Sequence, residues 1–449
     1  MRECLVQYYR CPERYVHFAM RGEVSATSGY FKVGDGVTCY GGYSGHPTVE
    51  HPGKVLHDAL EDIDIKDGVV YLPFDPMQVI RNFQSETYVQ DWRRSRLASA
   101  LAQIYYLIRP ALPVKARRHL QKFHLRNWDK LPFPHWPVDC SVDGLHQQLL
   151  LLALSAADIE QIPFIWFWPD SASACAIMTH DVETKAGRDL CSNLMDIDDS
   201  FGVKSSFQVI PEQRYTVTSE FLNSIRERGF EVLIHDLNHD GHLYRDRQQF
   251  LDRAAKINAY RKQYEVEGFR AGILYRKQLW YDALQFSYDM SVPNVAHLDP
   301  QRGGCCTVMP YFLGNILELP VTTTQDYTLF HILNDYSTRL WQQQIDLIMR
   351  QHGLMSFIVH PDYLSTPEEL RVYEALLSHL VQLRENRGVW ITTPGELNRW
   401  WRQRAKMRLV ENGQGWRIEG PGSERACIAY AHRENDRLSL TREHFSAVS

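Results

Sequence analysis

The chain has 449 residues, a formal charge of −5, and 44% apolar, 23% charged and 12% aromatic residues. A chain this long exceeds what one hydrophobic core organises, so two or three domains are expected, and the composition excludes a disordered or fibrous protein. The acidic balance gives no general attraction to nucleic acid or anionic lipid, so neither is an expected partner.

The opening MRECLVQYYRCPERYVHF is charged throughout and lacks the apolar segment of a secretory signal. Nine cysteines, an odd number without C-x-x-C spacing, predict reduced thiols and a cytoplasmic location. GYFKVGDGVTCYGGY predicts a hairpin around Gly-Asp-Gly, and VVYLPFDP another strand. The basic run from Lys115 to Arg126 reads as a solvated helix face, with phosphate or glycan contact as the alternative. LHQQLLLLALSAADIEQIPFIWFW is interrupted by Asp158, Glu160 and Pro163. It falls short of the roughly 20 apolar residues of a membrane span and predicts a buried helix followed by a strand. Residues 1–170 form an expected N-terminal α+β domain with no assigned role.

From residue 171 short apolar runs alternate with longer amphipathic ones. CAIMTHD, KSSFQVIP, EVLIHD, EGFRAG, ILELPVT, LMSFIVHP and VWITT each end in polar residues, and helical patterns such as SEFLNSIRERG, FLDRAAKINAYRKQY and STRLWQQQIDLIMRQHG lie between them. The last of these ends in glycine, a common helix stop. This alternation predicts an α/β fold with a parallel sheet, and about seven repeats fit a barrel over 171–404 better than a doubly wound open sheet. No glycine-rich phosphate loop follows the first strand, which argues against a nucleotide-binding fold. Residues 405–449 read as four short strands broken by turns, a small C-terminal β appendage.

In an α/β barrel, chemistry collects where strands end. The first strand ends in THDVE, where alternation projects Asp181 and Glu183 together and turns His180 and Val182 elsewhere. The third ends in HDLNHD, where a helical turn would bring His235 and His239 to one face. A lone HxxxH is weak, since a polar turn is an ordinary way to leave a strand. Two imidazoles and a carboxylate at the same end as a second acid match a divalent ion with open positions. Such an ion compensates desolvated carboxylates and uses the imidazole lone pairs.

THDVE, IHDLNHD, GFRAG and FIVHP, in this order over about 175–395, resemble the motifs of the polysaccharide deacetylase (NodB-homology, carbohydrate esterase family 4-like) superfamily. The separated acids match a divergent D-x-E branch. The resemblance implies a distorted (β/α)7 barrel and metal-assisted removal of an acyl group, most often N-acetyl on a sugar, with Glu183, His235 and His239 holding the metal and Asp181 as base. It implies a divalent ion, zinc first, with manganese, cobalt or nickel as alternatives, and an acylated carbohydrate as substrate. Arg270 matches the arginine that pairs with the base and holds it ionised. His360 fits the donor of a proton to the leaving amine.

Asp299 in NVAHLDPQRGGCC is a further catalytic candidate. His180, Asp236, Asp240, His242 and His297 read either as groups that orient a ligand histidine or as satisfied loop residues. Cys305 and Cys306 are left out, because neighbours in an extended chain face opposite ways. Tyr363 is a candidate for stacking on a sugar.

Three rival functions follow: a hydrolase of another non-peptide C–N bond such as a cyclic amide, a non-catalytic carbohydrate-binding or scaffold protein, and an Fe(II) oxygenase with the same donor set. Neither the oligomeric state nor the substrate is assigned.

Overall fold

The computed structural model describes residues 1–89, 125, 127–413, 415–435 and 437–443, and the basic residues of the 115–126 run lie outside them. The chain divides into two compact units, each assembled from separate stretches. One comprises Met1–Gln84, Cys140–Cys175 and Glu396–Ser449, the other Ser85–Asp139 and Ala176–Gly395.

In the first unit the expected hairpin forms between Gly29–Lys32 and Thr38–Gly41, with Phe31 opposite Cys39. Its turn uses Gly34 and Gly36 at positive φ, +69° and +78°, where a side chain would be strained. The apolar helix Ser141–Ala157 buries Leu145, Leu149, Leu150 and Leu154, and the Gln161–Ile165 strand follows it.

All four C-terminal strands form, but they are not a separate appendage. Ile428–Glu434 pairs antiparallel with Gln161–Ile165, placing Ala429 opposite Phe164, and Arg437–Arg442 pairs with its other edge. The buried Ile162 and Phe164 thereby gain a neighbouring strand that an exposed edge would lack.

In the second unit the seven expected strands form as Cys175–Val182, Ser206–Val209, Glu231–His235, Gly268–Arg270, Ile316–Glu318, Leu354–Val359 and Trp390–Thr392. Two more appear, Tyr288–Asp289 and Tyr311–Leu313. At two and three residues they are too short to show a period in sequence. Neighbouring strands from Cys175–Val182 through Ser206–Val209, Glu231–His235, Gly268–Arg270 and Tyr288–Asp289 to Ile316–Glu318 are parallel. Tyr311–Leu313 adds an antiparallel edge.

The sheet curls without closing through backbone pairing. Its path runs from Tyr311–Leu313 to Leu354–Val359, and threonine hydroxyls bridge the remaining gap. Thr322 Oγ1 donates to Leu354 O and Thr323 Oγ1 to Ser356 O, each at 2.7 Å. The architecture is a mixed α/β fold with a curled half-barrel sheet.

Several strands pass to helices through side-chain caps. Thr184, Thr218 and Asp246 each accept from an N3 backbone amide, and Thr366 with Glu369 completes a capping box ahead of Pro367–Arg387. The glycine after Arg339–Arg350 acts differently from a helix stop. His352 takes the left-handed turn at φ 54°, whereas a Cβ on Gly353 would lie 2.5 Å from Val308. Close approach is what requires glycine there.

The second unit also contains a buried ion pair that fastens Ser85–Val89. One guanidinium edge of Arg276, Nε and Nη2, meets the Glu86 carboxylate, with Nε 2.6 Å from Oε2. Gln278 Nε2 and the Gly304 amide each donate to it at 2.7 Å. A Cβ at Gly303 would lie 2.4 Å from Glu86 Oε1, and Gly303 and Gly304 sit at φ +127° and +145°. The glycines of RGGCC therefore make room for this carboxylate. Both following cysteines are buried, and all nine cysteines are free thiols. Among the described residues no helix is long and apolar enough to cross a membrane.

Because Arg276 is only 1% exposed, Glu86→Ala leaves a buried cation without its partner. Urea unfolding should show a loss of about 3–5 kcal/mol, with a smaller loss for Glu86→Gln.

Candidate metal centre

Strand alternation sorts the side chains of THDVE. Asp181 and Glu183 face the inside of the curled sheet. His180 faces the other way, its Nε2 3.0 Å from Asp198 Oδ2 on the helix Lys185–Ser200 and its Nδ1 3.1 Å from Val359 O. Ser205 Oγ and Tyr373 OH also donate to Asp198. His180 is therefore a satisfied packing residue and does not orient a ligand.

On the inner side, one oxygen of Asp181 is held and the other faces the histidines. Arg270 Nη1 donates to Oδ1 at 2.7 Å, while Oδ2 lies 3.6 Å from His235 Nε2. Burial by itself would raise the Asp181 pKa, but the charges of Arg270, His235 and His360 outweigh it and the carboxyl sits below its ordinary value. Arg270 also donates to Thr179 Oγ1 and to Met290 O.

Glu183 is the centre of a histidine cluster. Its Oε1 lies 3.0 Å from His239 Nε2, 3.5 Å from His360 Nε2 and 3.7 Å from His235 Nε2. Burial again opposes ionisation, and the three imidazoles overcome it, leaving Glu183 well below the usual carboxylate range.

His235 and His239 meet without the helical turn expected from their spacing. The chain leaves the strand through Asp236 at φ 60° and returns at His239, φ 53°, while the Asp236 amide donates to Arg270 O at 2.8 Å. Gly272 permits this, because a Cβ there would stand 2.8 Å from His239 Cδ2 and 2.6 Å from Asp236 Oδ2. Arg214 then pins the loop, donating to Asn238 O and His239 O at 3.1 and 2.6 Å. Sequence gave no pointer to Arg214, which lies between elements.

His235 Nδ1 lies 3.2 Å from Arg270 O, so that nitrogen carries the proton and Nε2 presents a lone pair. The Nε2 atoms of His235 and His239 are both buried and lack hydrogen-bond partners. The donor atoms of Glu183, His235 and His239 all lie within 4.8 Å of one another. Donors each about 2.0–2.1 Å from a tetrahedral ion stand about 3.3 Å apart. The donor types, spacing and orphaned lone pairs therefore fit a divalent ion.

His360 completes the inner face. Its backbone amide and Nδ1 both meet Asp326, at 2.7 and 2.6 Å, so Nε2 points to Glu183. Burial would lower the His360 pKa, but the carboxylates of Asp326 and Glu183 carry it well above its ordinary value. Asp326, fully buried, is a positioning residue the sequence reading missed. It lies eight residues beyond Glu318, outside the strand-end window where acids were sought. The Tyr363 ring lies 4.7 Å from that of His360.

Neither the protein-family models nor the curated proteins compared with the chain give a match. Over about half its length the chain is similar to solved polysaccharide deacetylases of the CE4, NodB-like type. A protein from Mycobacterium smegmatis assigned as a polysaccharide deacetylase is 18% identical, with 53% of this chain and 93% of that chain covered and a TM-score of 0.43. Puue allantoinase is 12% identical over 52% of this chain and 92% of its own, with a TM-score of 0.41. A mutant of BA3943, a CE4 family pseudoenzyme with restored enzymatic activity, is 15% identical, covers 51% and 68%, and has a TM-score of 0.33.

The remaining candidates make other contacts. Asp240 makes a two-pronged ion pair with Arg253, both contacts at 2.7 Å, and accepts from the His242 amide. It closes a turn. Asp236 Oδ1 accepts from the Leu237 amide and its Oδ2 is an orphan beside Gly272. The His297 ring stacks on Trp136 at 5.8 Å, and burial and Arg302 push its pKa down to about 4.

Asp299, expected as a catalytic residue, lines a small cavity with Trp136, Leu274, Val321 and Gln325. Gln325 Nε2 donates to its Oδ1 at 3.3 Å. Burial pushes its carboxyl from 3.8 up to about 6. Between about pH 4 and 6 the folded chain thus keeps a proton that the unfolded chain has released. That contribution is complete below this window and disappears as pH rises through it. Relative to Asp299→Asn, the wild type should lose stability on the order of 3 kcal/mol at most between pH 4 and 7, measured by denaturant titration at each pH.

Proposed function

We propose that this chain is a metal-dependent hydrolase that removes an N-acetyl or other acyl group from a sugar in a polysaccharide, glycolipid or sugar-precursor pathway. The observation that carries the reading is the cluster of Glu183, His235 and His239, with two orphaned imidazole nitrogens, flanked by an arginine-held carboxylate and a carboxylate-held histidine.

In this reading Glu183, His235 and His239 hold the divalent ion, with zinc favoured by the nitrogen-rich donor set. Bound there, such an ion supplies Lewis acidity, bringing the pKa of water from about 15.7 toward 7 and polarising an acyl carbonyl. Asp181 is the general base. Arg270 keeps it ionised and occupies Oδ1, so Oδ2 is left to take the proton of the attacking water. His360 is the general acid: Asp326 fixes Nδ1, and Nε2 delivers a proton to the departing nitrogen or oxygen. Tyr363 offers an aromatic surface beside His360 for a sugar ring.

A binding or scaffold protein has no chemical need for base, orienter and acid together. A cyclic amide in place of the acylated sugar would use the same groups, and only a substrate panel separates these two hydrolase readings.

The decisive test combines elemental analysis of purified full-length protein with acetate release from acetylated oligosaccharides. Asp181→Asn should keep every ion of the wild type while kcat falls about 10²–10⁴-fold, whereas His235→Ala should bind one ion fewer and lose activity. Wild-type ion content in both variants, or a metal-loaded wild type that cleaves neither acetylated sugars nor cyclic ureides, would end the proposal.

Asp326→Asn should lower kcat about 10–100-fold. Removing that anion also lowers the His360 pKa, so the alkaline limb of the rate profile should move to lower pH.

A further inference from the structure

We propose a second divalent-metal site in the other unit, formed by His46, His57 and Asp62. Three donor atoms, one from each residue, lie within 4.8 Å of one another. His57 Nε2 is 2.7 Å from Asp62 Oδ2, and His46 Nε2 is 4.0 Å from Asp62 Oδ1.

Two of the donors are fixed before any ion arrives. His57 O accepts from the Lys32 amide of the hairpin at 2.9 Å. The next residue, Asp58, accepts from the Gly34 and Leu60 amides at 2.9 and 3.1 Å and starts the short helical turn Ala59–Asp62. Tyr43 OH donates to Asp62 Oδ2 at 2.8 Å and sets its ring edge-on to His57, 5.7 Å between centroids. A ligating carboxylate held from behind by a hydroxyl is an arrangement metal sites use to orient a donor.

The third donor is adjustable. His46 is half-exposed and follows Gly45, which sits at φ +98° with no heavy atom near its Cβ position. Small movement there closes the 4.0 Å gap. The His46 and His57 rings already face each other, 4.3 Å between centroids and 31° apart in plane. Two imidazolium charges at that separation repel, whereas two neutral rings sharing a cation with Asp62 attract it.

Two imidazoles and a carboxylate select a first-row ion such as Zn²⁺, Ni²⁺ or Cu²⁺ over Mg²⁺ or Ca²⁺, which favour all-oxygen sets. Binding displaces the proton that His57 Nε2 shares with Asp62. The competing cation is Arg21, whose Nη1 lies 3.8 Å from Asp62 Oδ1 and donates to the Asp62 carbonyl. Its side chain is half-exposed, and its Nε lies 3.6 Å from Asp64 Oδ2, a second carboxylate that can keep it when an ion takes Asp62. The site links the turn after Thr38–Gly41 to the segment preceding Asp64–Lys66, so an ion there acts as a clip.

The test needs no substrate and does not depend on the proposed activity. Full-length wild type, His46→Ala and His235→Ala are equilibrated with Zn²⁺ and counted by elemental analysis, with Co²⁺ absorption as a second readout. His46→Ala should bind one ion fewer per chain than wild type, or bind it at least about tenfold more weakly, while circular dichroism confirms an intact fold. His235→Ala should retain the ion that His46→Ala loses. Equal stoichiometry and affinity in wild type and His46→Ala would overturn the site and leave a surface histidine–aspartate hydrogen bond.

Discussion

The site depends on one buried guanidinium. Arg270 is fully enclosed, and its side chain meets the Asp181 carboxylate, the Thr179 hydroxyl and the Met290 carbonyl. Its own carbonyl lies against His235 Nδ1 and accepts from the Asp236 amide. A single residue therefore holds a carboxylate ionised with its side chain and aims an imidazole with its backbone. Burying a guanidinium without partners costs several kcal/mol, so the arrangement is stable only while these contacts are made together.

The same enclosed sheet shows what happens to acids without such a partner. Asp289 and Glu318 stand side by side on neighbouring parallel strands. Burial pushes both carboxyls up, and the Asp289 charge adds to the rise of Glu318, which sits well above its usual range, so the pair holds a proton. Asp181 is buried and Glu183 partly so, yet both lie below their ordinary values because Arg270 neighbours the first and three imidazoles surround the second. Counter-charge, more than depth, decides which acids stay available as bases or ligands.

That availability carries a cost in stability. Two buried imidazole nitrogens without partners each cost about 1–3 kcal/mol, and the left-handed turn at Asp236 and His239 adds backbone strain. Two such nitrogens facing one carboxylate are the physical signature of a place built to hold something else.

Local rules were sufficient for much of this protein. Period-two alternation placed Asp181 and Glu183 together and turned His180 away, and apolar runs with capped helices announced the parallel strands, because both effects act within a few residues. The two short strands, the threonine-bridged seam and the joining of the C-terminal strands to Gln161–Ile165 were not legible, since each depends on contacts between distant stretches. For the site, residue types named the donors, but Asp326 and Arg214 entered only through folding, as did the cavity that Asp299 lines. Sequence by itself determined which side chains can bind an ion or carry a proton. Tertiary structure decided which of them share a space, because burial and counter-charge are properties of the assembled sheet and loops.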